Sequence, residues 1–183
     1  MITLVVDNLS PFTPDILQCL KRKQASYICK KFFEVGNCKI KYDKVILSGR
    51  QKNNREINVI NSKIIKDCFQ TDIPILGICY GAEIIALTLG GSIRRMPSPV
   101  HGVIPLNVWK KNRMITERKS VLVFESHKYC IAKLPDDFDS IASSRFCNHE
   151  FFSHKKKDIF GTQFHPEKSG QVGLDIFSNF LIA

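Results

Sequence analysis

The sequence lacks cysteines paired two residues apart, a long hydrophobic run, an internal repeat and any low-complexity tract. Each absence excludes a class of protein. No apolar stretch approaches the ~20 residues that a helix needs to cross a bilayer, so no membrane role is expected. Seven cysteines, at positions 19, 29, 38, 68, 79, 130 and 147, are an odd number without a CxxC pair. This excludes a zinc site of the usual spacing and a complete disulfide framework, and it points to a reducing compartment. The opening MITLVVDNLS has neither a basic leader nor a small-residue cleavage site. It reads as a first strand, and the cytoplasm is the expected location. Acidic residues are in the minority, 17 against 27 basic ones, for a formal charge of +10. The basic residues are spread along the chain. Their densest cluster, HKKK at His154 to Lys157, falls in an expected turn with no interleaved aromatic rings to stack bases. The excess therefore reads as a solvated basic surface suited to an acidic protein partner, not to nucleic acid.

What is present is an alternation of strand and helix patterns. Ile2 to Val6 is an apolar run closed by the turn-rich DNLSPFTPD, whose Ser10 or Thr13 is expected to cap a helix through Cys19 and Leu20. KVILSG, from Lys44 to Gly49, is a second buried strand. From Arg55, Ile57, Ile60, Ile64, Ile65 and Phe69 recur at helical spacing. PILGI is a third strand, and AEIIALTLGG a helix stopped by paired glycines. After Ser92 the pattern changes to short β pieces, GVIPLNV, VLVFES, SIASS, HEFFSH and DIFGTQF, before a closing helix from Val172 to Leu181. Alternating strands and helices imply an α/β fold: a single three-layer domain over residues 1–183, with a central, mostly parallel sheet covered on both faces.

In such sheets the reactive groups collect beyond the carboxyl ends of the strands. Cys79, in Gly77-Ile78-Cys79-Tyr80-Gly81, stands at one of those ends, where a strand turns sharply into a helix. Flanking glycines permit the tight turn that exposes a nucleophile. The helix start is expected to favour the thiolate and lower its pKa. Much later, GTQFHPEKS places His165 and Glu167 just after another strand, 86 residues beyond the thiol. A cysteine nucleophile needs a base to move its proton, and the base needs an acceptor to orient it. Cys79, His165 and Glu167 supply those three roles, with no metal required.

GICYG together with QFHPE resembles the class I glutamine amidotransferases, whose triad is a cysteine, a histidine and a glutamate two residues further on. The resemblance covers nearly the whole chain and implies their flavodoxin-like fold. VVDNLSPFTPDIL resembles the first loop of anthranilate and aminodeoxychorismate synthase amidotransferase subunits. SHKYCIAKLPDDFDSIASSRFC and DIFGTQFHPEKSGQVGLDIFSNFL resemble the stand-alone archaeal-type amidotransferase subunit of GMP synthetase. The family implies L-glutamine as substrate, hydrolysed through a Cys79 thioester. It implies oxyanion donors at the backbone of Gly49 and Tyr80, and substrate contacts at Glu83 and along Ser126 and His127. It implies no cofactor in this chain. Ammonia passes to an ATP pyrophosphatase, or synthetase, subunit, where ATP and magnesium are expected.

Three positions depart from the family pattern. Glu83 stands where glutamine is usual, Arg50 follows Gly49 where glycine or proline is usual, and Tyr129 stands where GMP synthetase subunits commonly have aspartate. Two further readings stay open on these residues: a non-catalytic regulatory or scaffolding homologue, and a γ-glutamyl hydrolase or peptidase. His101 reads as a surface-loop histidine, His149 and His154 lack the company of a metal site, and Trp109 reads as a candidate surface anchor for a partner.

Overall fold

The computed structural model describes residues 1–37, 41–115 and 120–183, so Cys38 lies outside the described residues. Among the described residues nine strands form one sheet: β1 (Ile2–Asp7), β2 (Ser26–Lys31), β3 (Lys44–Leu47), β4 (Ile75–Ile78), β5 (Ser92–Val108), β6 (Ser120–Lys133), β7 (Phe138–Ser143), β8 (Phe151–His154) and β9 (Ile159–Thr162). Their order is β2-β1-β3-β4-β9-β8-β7-β5-β6. The first five in that order run parallel, in the 2-1-3-4-5 arrangement of flavodoxin-like folds. The other four add antiparallel neighbours. The sheet is thus parallel where strands alternate with helices and antiparallel where the β pieces follow one another directly, since short connections can only join antiparallel strands.

Four helices among the described residues cover the faces: α1 (Thr13–Arg22), α2 (Arg55–Thr71), α3 (Tyr80–Thr88) and α4 (Gly170–Ile182). The strand period of two divides the core between them. Val5, Ile46, Leu76 and Ile78 pack with Ile16, Leu20, Phe177 and Phe180 of α1 and α4. Leu4, Val6, Val45, Leu47 and Ile75 pack with Ile57, Ile64, Ile65, Ile84 and Ile85 of α2 and α3. Side chains that alternate along one strand therefore belong to opposite layers. Buried Lys44 fastens α4 to the sheet by donating to the Phe180 carbonyl at 3.0 Å.

Three sequence expectations need correction. Neither Ser10 nor Thr13 caps α1: Phe12 holds the cap position without a side-chain bond, and Thr13 is the first helical residue. Asp7 organises the loop instead, accepting from the amides of Leu9 and Ser10 and from the Thr13 hydroxyl at 2.7 Å. This is Asx-turn chemistry, and Pro14 in the first helical turn has no N–H left to satisfy. GVIPLNV is the second half of a longer strand, β5, whose register breaks between Arg95 and Val100, where Pro97 and Pro99 sit. Proline cannot donate to a ladder and is confined to such irregularities. The sequence pattern gives no sign of β2, whose residues are half-exposed or exposed and carry little apolar alternation.

Candidate active site

The chain turns from β4 into α3 at Cys79, which has φ 52° and ψ −105°, a left-handed conformation that favours glycine. Backbone strain of this kind persists only where the surroundings over-determine it. Here they do. The Cys79 amide donates to the Thr162 carbonyl at 2.7 Å, hanging the turn on the end of β9, and its own carbonyl accepts from the Glu83 amide at 3.0 Å. Both flanking glycines are sterically required. A Cβ on Gly77 would meet the Gly81 backbone at 2.4 Å, and one on Gly81 would meet the Leu47 carbonyl at 2.4 Å.

His165 follows β9 and leads into a 3-10 turn, Pro166–Lys168, that presents Glu167. The His165 amide donates to the Phe124 carbonyl at 2.8 Å, and Ser169 Oγ donates to the His165 carbonyl at 2.6 Å. His165 Nδ1 donates to Glu167 Oε1 at 2.7 Å, with both side chains almost wholly buried. The imidazole also acts on the Cys79 thiol, by charge and by hydrogen bond, and lowers its pKa. Cys79, His165 and Glu167 thus form one line of interacting groups at the carboxyl ends of β4 and β9. Phe12 stands edge-on to the imidazole at 4.8 Å, and Phe124 lies behind it at 6.4 Å.

Burial lowers the His165 pKa, but the Glu167 carboxylate and the Cys79 sulfur outweigh it and hold the ring at about 10. The thiol itself differs from expectation. Burial pushes Cys79 up, and the force opposing that rise is His165, by charge and by hydrogen bond. Desolvation disfavours the charged form, and the imidazole is the counterweight.

The residues implied as oxyanion and substrate contacts surround this line. Gly49 is so close that a Cβ there would stand 3.3 Å from His165 Cε1 and 3.8 Å from Cys79 Cβ. The Gly49 carbonyl accepts from Ser48 Oγ at 2.9 Å. Tyr80 is the first residue of α3. Its hydroxyl donates to Asn58 Oδ1 at 2.9 Å, and the Arg50 guanidinium donates to the same oxygen at 2.7 Å while stacking 3.8 Å from the Tyr80 ring centre. Arg50 therefore ties the loop after Gly49 to both α2 and α3. The Ser126 carbonyl lies 3.9 Å from Cys79 Sγ. Glu83 is buried beneath the turn, its Oε1 accepting from Gln163 Nε2 at 3.1 Å. Burial raises its pKa, opposed first by that bond and then by His127 and Arg50.

His127 points its ring into the interior. Nδ1 donates to the Tyr129 carbonyl at 2.7 Å, and Nε2 bonds to Glu125 Oε2 at 3.1 Å. Glu150 completes this buried group, with one potential ligand atom from each side chain within 4.8 Å of the others. The side chains bond to one another or to neighbouring protein groups. His101, expected as a surface histidine, is exposed, yet its Nδ1 reaches Ser126 Oγ at 3.2 Å and its ring stands edge-on to Phe124 at 5.2 Å. His154 accepts from the amides of Lys156 and Lys157. Trp109 is 51% exposed, with its indole donating to the Ser140 carbonyl at 3.1 Å. Phe12 and Gln163 lie within the stretches VVDNLSPFTPDIL and QFHPE without being singled out there, and Asn58, Phe124 and Glu150 meet the site only through the fold. The HPE tripeptide offered one signal for Gln163, which lies on the same β9 exit.

With a cysteine on a strand-to-helix turn, a histidine bonded to it and a carboxylate behind, residues 4–183 match the model of the class-I glutamine amidotransferase family. The chain belongs to that family. Within it, the chain is 40% identical over 144 residues to a glutamine-hydrolyzing GMP synthase subunit of Thermoplasma acidophilum, covering 76% of this chain and 70% of that protein. It is 35% identical to the glutamine-hydrolyzing GMP synthase of Prochlorococcus marinus, over 75% of this chain but 26% of that longer protein. A crystal structure of a GMP synthase subunit protein from Thermoplasma acidophilum superposes with a TM-score of 0.89 at 32% identity, covering 99% of this chain and 92% of the other.

Proposed function

We propose that this chain is the glutamine-hydrolysing subunit of a two-subunit GMP synthetase. The observation that supports it is the Cys79–His165–Glu167 line: a nucleophile, a proton carrier bonded to it and a carboxylate that orients the carrier. The Cys79 thiol gives its proton to His165 and its sulfur attacks the side-chain amide carbon of L-glutamine, and negative charge gathers on the amide oxygen. Backbone N–H groups of Tyr80 and Gly49 receive that charge. His165, held protonated by Glu167, gives its proton to the amide nitrogen. The C–N bond breaks, ammonia leaves, and a thioester remains on Cys79. Water then gives a proton to His165 and attacks the thioester carbon, glutamate departs, and the proton returns to the thiol. The substrate's amino acid end lies along the backbone of Ser126 and His127, with Glu83 beneath.

The match to about a quarter of the longer Prochlorococcus protein supports a division of labour. This chain supplies ammonia, and a separate ATP pyrophosphatase subunit holds XMP, ATP and magnesium. In this reading the chain itself binds no cofactor, no membrane and no nucleic acid, and works in the cytoplasm. No helix of the described residues is long and apolar enough to cross a membrane. The test is glutamate release from glutamine, with and without such a subunit supplied with XMP and MgATP, using Cys79→Ala as blank. Release that depends on Cys79 and rises with the partner is the expected result. A wild-type rate no greater than the blank in both conditions overturns the proposal.

A further inference from the structure

The buried group next to the substrate-side strand, Glu125, His127 and Glu150, has no part in the proton transfers above. Glu125 and Glu150 are both fully buried, and each has one oxygen with a partner and one without. Glu150 Oε1 accepts from Ser144 Oγ at 2.6 Å, while Oε2 has no partner. Glu125 Oε2 bonds to His127 Nε2 at 3.1 Å, while Oε1 has none. Two neighbouring carboxylates away from water cannot both stay ionised without a large penalty. One proton placed between them satisfies both orphan oxygens at once. Glu125 has the histidine as partner and is the better ion, whereas Glu150 has a neutral hydroxyl and is the better acid. The other titratable groups facing Glu150 do not help it ionise. Cys130 on β6 and Cys147 before β8 are thiols, and burial with Glu125 raises Glu150 to about 9.

We propose that Glu150 acts as a neutral carboxylic acid and positioning residue: its proton bridges to Glu125, and this fixes His127 and, beside it, the Ser126 backbone against Cys79. The connection is short. Glu125, Ser126 and His127 are consecutive on β6, and the Ser126 carbonyl lies 3.9 Å from the thiol. The Glu150 carbonyl also accepts from the Gln163 amide at 2.7 Å, tying the same residue to the strand exit that presents His165. Glu150 touches no reacting atom. It acts through the strand that the substrate lies along.

The inference rests on Cys79 being the glutaminase nucleophile, and the test keeps the two apart. Wild type, Glu150→Gln and Glu150→Ala are compared in glutamate release across pH, and by infrared difference spectroscopy for a protonated-carboxyl stretch at pH 7. Glutamine at position 150 reproduces the neutral acid's shape and its donor. Glu150→Gln should therefore keep KM for glutamine within about threefold, while Glu150→Ala, which leaves Glu125 Oε1 and the Ser144 hydroxyl proton without a partner, should raise it about tenfold. The wild-type kcat/KM should fall near pH 9, where Glu150 ionises, and that fall should be absent in Glu150→Gln. The carboxyl band of the wild type should be missing from both variants. Absence of the band in wild type overturns the proposal even if glutamate release proves undetectable. So does a pH profile unchanged by Glu150→Gln. Uptake of one equivalent of Zn²⁺ or Mn²⁺ by metal-free wild type, lost in Glu150→Gln, overturns it as well, because a cation would then do the proton's work.

Discussion

Cys79 and His165 each sit where neither would function alone. Burial resists charge on the thiol and on the imidazole alike, and each group is the other's relief. Glu167 breaks the symmetry, since its bond at 2.7 Å favours the protonated ring. Replacing His165 with glutamine removes the thiol's counterweight while keeping a hydrogen-bonding side chain. Cys79 alkylation by iodoacetamide at pH 7, followed by peptide mass mapping, should slow at least tenfold, since each unit of pKa rise removes about nine-tenths of the thiolate. An unchanged rate would mean that the turn itself activates the sulfur. Glu83 illustrates how context alters a residue's chemistry. Read in the sequence, it is a carboxylate in a substrate pocket; in the fold it is bonded to Gln163 and shielded from solvent.

The decisive element is the turn between β4 and α3, which exists because two glycines remove atoms from places where backbone must lie. Gly81→Ala would drive a methyl into the Leu47 carbonyl of β3, separating α3 from the sheet. The expected cost is roughly 3 kcal/mol, a fall in Tm of about 6–12 °C by differential scanning calorimetry. Gly90→Ala is the informative comparison: its surroundings are open, so any loss there reflects its φ of 105° rather than a clash. This turn was legible in the sequence because its requirements are local: Gly77, Cys79 and Gly81 lie within five residues. HPE was legible for the same reason. The helices α2, α3 and α4 announced themselves by apolar spacing and stop signals. By contrast, the clasp of Arg50 and Tyr80 on Asn58, the ring of Phe12 against His165 and the pairing of Glu125 with Glu150 join distant stretches. No window of sequence contains them. The start of α1 was misread because Asp7, at the end of a strand, took up the hydroxyl and amides that a cap would have used.

At the scale of the whole molecule, His165, held at about 10, and Glu150, held at about 9, couple stability to pH. Each contributes stability that is complete below its unfolded value and is lost as pH rises through its folded one. For Glu150 that window runs from about 4.5 to about 9, and for His165 from 6.5 to about 10. Both losses have the same sign, so Tm should decline steadily between pH 7 and pH 10, and less steeply in Glu150→Gln. A Tm that climbs over this range would contradict the assignment of both protons. The sheet order has a further consequence, for synthesis. The strand that completes the parallel half, β9, lies beside β4 in space but 81 residues after its end in the chain. Translation proceeds from the amino terminus, so a nascent chain displays the bare edge of β4, with its thiol exposed, until β9 has cleared the ribosome. A molecule whose reactive sulfur waits for neighbours made so much later depends on the reducing state of its surroundings most of all while it is being made.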